Sequence, residues 1–176
     1  MLIAIPKERR EAERRVAATP ESVKKLVGLG ATVRVEAGAG AGSAYADGAY
    51  AAAGAMIAPD YAATVTDADI VLKVQRPLLP GEGEIDELQP IRSGAALLAI
   101  LEPYDTPDAI KAYAAAGIEA FAMELIPRIS RAQSMDVLSS QANLAGYKAV
   151  LDAAAVFGRA FPMMMTPAGT IPPARV

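Results

Sequence analysis

The chain has no cysteine and no histidine among its 176 residues. Without cysteine there is no disulfide framework, no thiolate nucleophile and no Cys-based metal site, which fits a reducing compartment. The missing histidine removes the one side chain whose unperturbed pKa lies near neutrality. A proton shuttle at pH 7 would therefore need a shifted carboxylate or lysine, whereas chemistry that moves no proton is unaffected. Tryptophan is absent and aromatics make up only 5%, so the core must be built from Val, Leu, Ile, Ala and Met. Net charge is −3, too close to neutral to point to nucleic acid or an anionic membrane surface. KERREAERR (7–15) alternates its signs and reads as paired surface charge. No apolar run approaches the roughly 18 residues of a spanning helix. MLIAIP enters a strand-like run at once, so no signal peptide is expected ahead of the fold.

Short apolar, β-rich runs alternate with helical patterns. LIAIP (2–6), TVRVEA (32–37), DIVLKV (69–74), GAALLAIL (94–101) and IEAFAMEL (118–125) read as main strands, with AMIA (55–58) a short one. Thr19-Pro20-Glu21-Ser22 opens a helix that stops at Gly28 or Gly30, DGAYAAAGA is a second short helix, and TPDAIKAYAAAG is a third, capped one. This alternation predicts an α/β domain with a doubly wound parallel sheet, Rossmann-like or flavodoxin-like, over residues 1–127. Residues 137–158 then predict a helix of about six turns, with Asp136 as N-cap and Gly158 as stop. That is long for a crossover and suits an inter-domain bridge. Residues 159–176 carry two strand-like fragments and four prolines, and read as the start of a truncated second, nucleotide-binding domain.

Four stretches invite a functional reading. EAGAGAGS follows a strand, but Gly38, Gly40 and Gly42 give G-x-G-x-G, with Ser43 where a dinucleotide fingerprint has its third glycine. It reads better as a turn that uses positive φ. Arg14, Arg15 and Lys73 form a second group: Lys73 ends an apolar strand, where open sheets place ligands, and a neighbouring arginine could hold a carboxylate. The alternative is a strand-end cation reaching solvent. Met163-Met164-Met165, lacking His or Cys partners, reads as core filling rather than a soft-metal site.

The fourth stretch is MELIPRISRAQSMD (123–136). Arg128 and Arg131, then Gln133 and Asp136, stand three apart, and Ser139 follows one turn beyond Asp136. The segment leaves a strand and enters a helix N-terminus. An amide-bearing ligand would suit it: Asp136 accepts from an NH₂ while Gln133 or a hydroxyl donates to the C=O. The alternative is a solvated loop in which Asp136 simply caps the helix; spacing leaves both open.

KERR at 7–10, RVAATPESVKKLVGLGATV at 15–33, LKVQRP at 72–77 and above all AMELIPRISRAQSMDVLSSQANLAGYKAV resemble one family. It is the alpha (alpha-1) subunit of the Re/Si-specific, proton-translocating NAD(P) transhydrogenase, in its NAD(H)-binding domain I. FPMMMTPAGTIPPARV is similar to that family's lead-in to a second subdomain carrying the Rossmann fingerprint. The resemblance implies a first α/β subdomain over 1–127, a nicotinamide-contacting loop at 128–136, a connecting helix at 137–158, and a beginning at 159–176 of the NAD-binding subdomain. It implies that Arg128, Gln133 and Asp136 orient the nicotinamide of NAD(H), with Ser139 assisting and Ile129 and Leu138 adding apolar contact, and no catalytic acid, base or metal. NADP(H) would sit on a partner domain. Further expected partners are a second copy of domain I and a membrane domain, without nucleic acid or direct membrane insertion by this chain. In a bacterium the complex would hold it on the cytoplasmic side of the inner membrane. A more distant resemblance is to alanine dehydrogenase, whose substrate-binding arginine and lysine match Arg15 and Lys73. Where that enzyme has a catalytic histidine, LEPYDT (101–106) has none. A third reading is a non-catalytic assembly module, since the chain alone would lack the nucleotide fold and be inactive.

Overall fold

A computed structural model describes residues 1–175 and divides the chain into two compact units, 1–127 and 128 onward. In the first, six strands form one sheet: β1 (Leu2–Ile5), β2 (Thr32–Glu36), β3 (Met56–Ala58), β4 (Ile70–Gln75), β5 (Ala96–Ile100) and β6 (Glu119–Ala122). Every pairing is parallel, and the order is β3-β2-β1-β4-β5-β6. Of the two orders expected, this is the Rossmann one rather than the flavodoxin one.

Side-chain alternation along the strands feeds two cores, one on each face. Ile3 and Ile5 of β1 join Val33 and Val35 of β2 on one face, while Ala4 between them joins Val71 and Leu97 on the other. Helices α1 (Pro20–Gly28) and α2 (Asp47–Ala52) contribute Val23 and Tyr50 to the first face. Helices α3 (Tyr61–Val65) and α4 (Pro107–Ala115) contribute Tyr61, Val65 and Tyr113 to the second. Thr19 caps α1 as its sequence predicts, its Oγ1 accepting the Ser22 N–H at 3.2 Å, with Pro20 in the first turn. The five-residue α3 is too short for a periodicity to reveal it. Its signal is Asp60, whose carboxylate accepts the Ala63 N–H at 2.8 Å.

The strand expected over 118–125 ends at Ala122, and residues 123–125 form a 3-10 turn. The turn brings the Glu124 carboxylate to the end of β5, where it accepts the N–H groups of Leu101 (3.0 Å) and Glu102 (2.5 Å). These donors would otherwise lack partners.

The second unit holds α5 (Val137–Val156) and a two-stranded antiparallel hairpin, β7 (Met164–Thr166) and β8 (Gly169–Ile171). Helix α5 ends at Val156 with Phe157 as its C-cap, just ahead of the expected stop at Gly158. None of its twenty residues is buried, and apolar Leu144, Tyr147 and Val150 are all exposed. The three methionines at 163–165 are exposed too, so core filling is not their role in the described chain. Val176, the last residue of the segment expected to begin the second domain, lies outside the described residues.

Candidate functional site

The polar stretch opens with Ile129 in extended backbone and then winds through a 3-10 helix, Ser130–Met135, into α5. A 3-10 segment with three residues per turn places Ser130, Gln133 and Asp136 on one side. Arg128, Ile129, Ser130, Gln133, Asp136 and Ser139 together line a pocket of about 290 Å³. That lies at the bottom of the ~300–1,000 Å³ range of small-molecule sites, room for one ring rather than a dinucleotide.

Asp136 does cap the helix. One carboxylate oxygen accepts the Ser139 N–H at 2.9 Å and the other the Ser139 hydroxyl at 2.6 Å, while the Ser140 hydroxyl donates to the Asp136 carbonyl at 2.7 Å. The Ser139 hydroxyl bond, then its N–H, and the Arg128 charge hold the carboxyl below its usual range. Capping does not exhaust it, because each carboxylate oxygen keeps a second lone pair. Asp136 is thus a fixed, ionised acceptor facing a pocket that also carries an amide and a guanidinium. Five of the six residues singled out by resemblance line this pocket. Leu138 does not; it stands on α5, exposed. Ser130 lines it without a role from the resemblance, although its place three residues before Gln133 is the same spacing that links Gln133 to Asp136.

The other candidates fall elsewhere. In the glycine-rich turn, Gly38 has φ +73, and a Cβ at Gly42 would stand 2.6 Å from the Arg14 carbonyl oxygen. Ser43 donates to that same oxygen at 2.8 Å. These glycines let the loop lie against residue 14, as the turn reading requires, and no helix N-terminus of useful length follows.

Lys73 reaches neither solvent nor a site wall: its side chain is 1% exposed, with Nζ 3.0 Å from Glu87 and 3.5 Å from Glu8. Arg9 joins them, bonded to Glu36, 3.5 Å from Glu87 and stacked over the Tyr61 ring. Arg15 lies against Glu13 at 2.6 Å, and Gln75 donates to the same carboxylate. The Arg15 bond, helped by Gln75, lowers the Glu13 pKa to about 2. Lys73 and Arg15, the cations expected to meet an anionic ligand, therefore each meet a carboxylate of the chain itself. Among the described residues no group of carboxylates is placed to hold a metal ion.

A parallel sheet in this order defines a Rossmann-like α/β domain, and the segment that follows it in sequence forms a polar pocket at a helix start. The chain belongs to the family described as alanine dehydrogenase/PNT, N-terminal domain, whose model matches residues 4–145. Over all 176 residues it is 58% identical to a Rhodospirillum rubrum relative, the first portion of NAD(P) transhydrogenase subunit alpha, covering 46% of that protein. It is similar to the crystal structure of transhydrogenase from Sinorhizobium meliloti, with 54% identity and a TM-score of 0.90 over 99% of this chain and 48% of that one. Alanine dehydrogenase of Bacillus subtilis is 36% identical over 146 residues, 83% of this chain and 36% of that protein. The chain thus spans less than half the length of each of these relatives.

Proposed function

We propose that this chain forms the leading portion of the NAD(H)-binding component of a proton-translocating transhydrogenase, which passes hydride between NADH and NADP⁺. The observation that carries this reading is the 128–139 pocket, whose acceptor, amide and guanidinium suit a carboxamide, in a chain similar along its whole length to transhydrogenase subunits.

The residues present fit a nicotinamide. Asp136, held ionised by Ser139, accepts from the carboxamide NH₂; Gln133 donates its NH₂ to the carboxamide oxygen; Arg128 adds a positive edge, and Ile129 an apolar one. When bound, the dihydronicotinamide supplies the hydride. What this chain adds is orientation: two anchors on the carboxamide set the rotation of the ring and so the face it presents. No acid or base is needed, in keeping with the lack of histidine. NADP(H) would be held by a partner domain. Assembly as a dimer of this component, alongside a membrane domain, belongs to the same proposal; no helix among the described residues is long and apolar enough to cross a membrane. Such a complex places the chain on the cytoplasmic side of a bacterial inner membrane.

An alanine dehydrogenase-like activity would need Arg15 and Lys73 for its substrate, and Glu13 and Glu87 already hold them.

The pocket has room for a ring only, so the chain alone is expected to bind NADH weakly or not at all. A polypeptide extended to the length of its relatives is expected to bind it. Calorimetry on both tests this, and tight binding by the 176 residues alone would overturn it.

A further inference from the structure

Glu124 precedes Arg128 by four residues, yet it is not among the residues that line the 128–139 pocket. A carboxylate just past a strand end would ordinarily reach solvent. This one turns back onto the sheet. Its Oε1 accepts the Leu101 N–H at 3.0 Å and the Glu102 N–H at 2.5 Å, and Oε2 lies 3.2 Å from the Leu101 nitrogen.

The seat of this clamp is firm. Leu101 is 1% exposed. Glu102 takes φ +49, a left-handed conformation that a non-glycine residue keeps only where its surroundings over-determine it. They do so here: the Thr106 hydroxyl lies 3.0 Å from both the Leu101 and the Glu102 carbonyl oxygens, and the Asp105 and Thr106 N–H groups donate to the Glu102 carbonyl at 3.0 and 2.9 Å. Such an outlier invites a functional explanation.

The chain between clamp and pocket is stiff as well as short. Residues 123–125 form the 3-10 turn, closed by the Ile126 N–H on the Met123 carbonyl at 3.3 Å. Ile126, at ψ 124°, is extended as the following proline requires, and the ring of Pro127 fixes its own φ. Ile129 is extended again before the next 3-10 helix begins. No glycine interrupts residues 123–136. Within the pocket, Asp136 is held by Ser139 and its carbonyl by Ser140, so the clamp is not what shapes the pocket. It sets where the pocket begins.

We propose that Glu124 is a positioning residue: by anchoring the point where the chain leaves the sheet, it fixes the place at which Arg128 and Gln133 meet the nicotinamide. This rests on the nicotinamide reading above. Loss of the clamp leaves the pocket's own bonds intact, so affinity is largely kept. Hydride transfer, which is sensitive to displacements of about 1 Å, is slowed.

Two measurements test it. In the 176-residue chain, without cofactor, E124A is expected to lower the backbone NMR order parameters of Leu125, Ile126 and Arg128 from about 0.85 to below about 0.6. E124Q, whose amide oxygen can still accept both N–H groups, is expected to keep them near the parent values. In a chain extended to the length of its relatives and combined with the NADP(H)-binding component, E124A is expected to slow hydride transfer about tenfold or more. The NADH Kd should stay within about threefold of the parent, as for an interaction that acts only in the transfer step. E124Q should recover most of the rate, and Y50F, which weakens the fold elsewhere, should leave the rate unchanged. Should E124A not fold, E124D, one methylene too short for the same reach, takes its place. The proposal is overturned by order parameters unchanged in E124A, by a rate that falls no further than in Y50F, by a Kd that weakens as much as the rate, or by E124Q no better than E124A. Q133N measured alongside keeps the two readings apart: a parent-like rate there sinks the nicotinamide reading, and the order parameters then decide the clamp alone.

Discussion

Lys73→Met tests the buried charge cluster that the first unit is built around. The substitution keeps the length of the side chain and removes only its charge, so packing changes little. What it leaves is Glu8 and Glu87, each almost wholly buried, without the ammonium that stood 3.5 and 3.0 Å away. Removing one partner of such a pair costs about 3–5 kcal/mol, since the other is left uncompensated. At about 2–4 °C per kcal/mol for a chain of this size, the melting temperature falls by about 10 °C. Urea unfolding followed by circular dichroism reads the loss directly. The double variant K73M/E87Q removes one of the stranded charges and should recover part of it, with a coupling of about 1–3 kcal/mol. A pH signature accompanies it. Burial raises the Glu8 pKa against the opposing pull of Lys73 and of the Val74 and Gln75 N–H groups. Above the unfolded value the folded state therefore binds more protons, so this group makes stability fall as pH rises. Without Lys73 that fall steepens, and K73M should lose less at pH 5 than at pH 8. A loss below about 1 kcal/mol, or a double variant equal to the sum of its singles, would refute the reasoning.

Glu13→Gln acts at the acid end. With a folded pKa near 2, Glu13 stabilises the native state above its unfolded value, and that contribution disappears as pH drops toward 2; the variant's acid-unfolding curve should be flatter between pH 4.5 and 2. Tyr50→Phe removes a buried hydroxyl that donates to the Ala18 carbonyl at 2.9 Å, and chemical denaturation should show a loss of about 1–2 kcal/mol. Gly42→Ala places a methyl 2.6 Å from the Arg14 carbonyl oxygen, and about 1–3 kcal/mol should be lost to the forced shift.

The sheet is legible because its strands are buried on both faces and show as short apolar runs between capped helices. Thr19-Pro20 marks α1, and the long polar-to-apolar change at Asp136 marks α5. Less visible are features set by a single side chain acting at a distance. Glu124 ends β6 early by binding N–H groups at the end of β5, and Asp60 caps a helix too short to show a period. Lys73 misleads for the same reason. A lysine at a strand end reads as a ligand-facing cation, and only the three-dimensional approach of Glu8, just after β1, and of Glu87 from the long connection turns it into a buried pair. At the pocket, i to i+3 spacing brings out Gln133 and Asp136, and the same spacing reaches back to Ser130, which the 3-10 winding places beside them.

The central claim is that Gln133 and Asp136 orient a nicotinamide rather than merely shape a loop. It is tested most directly by hydride transfer from NADH to an NADP⁺ analogue, in a chain extended to the length of its relatives and combined with the NADP(H)-binding component. Gln133→Asn shortens the amide by one methylene, and Asp136→Asn keeps an acceptor oxygen that can still cap α5. The account predicts a transfer rate reduced at least about tenfold, the loss of one charge-assisted anchor, with the melting temperature within about 2 °C of the parent. Rates that fall only in step with melting temperature, or remain at the parent value, would contradict it and leave Asp136 as a helix cap.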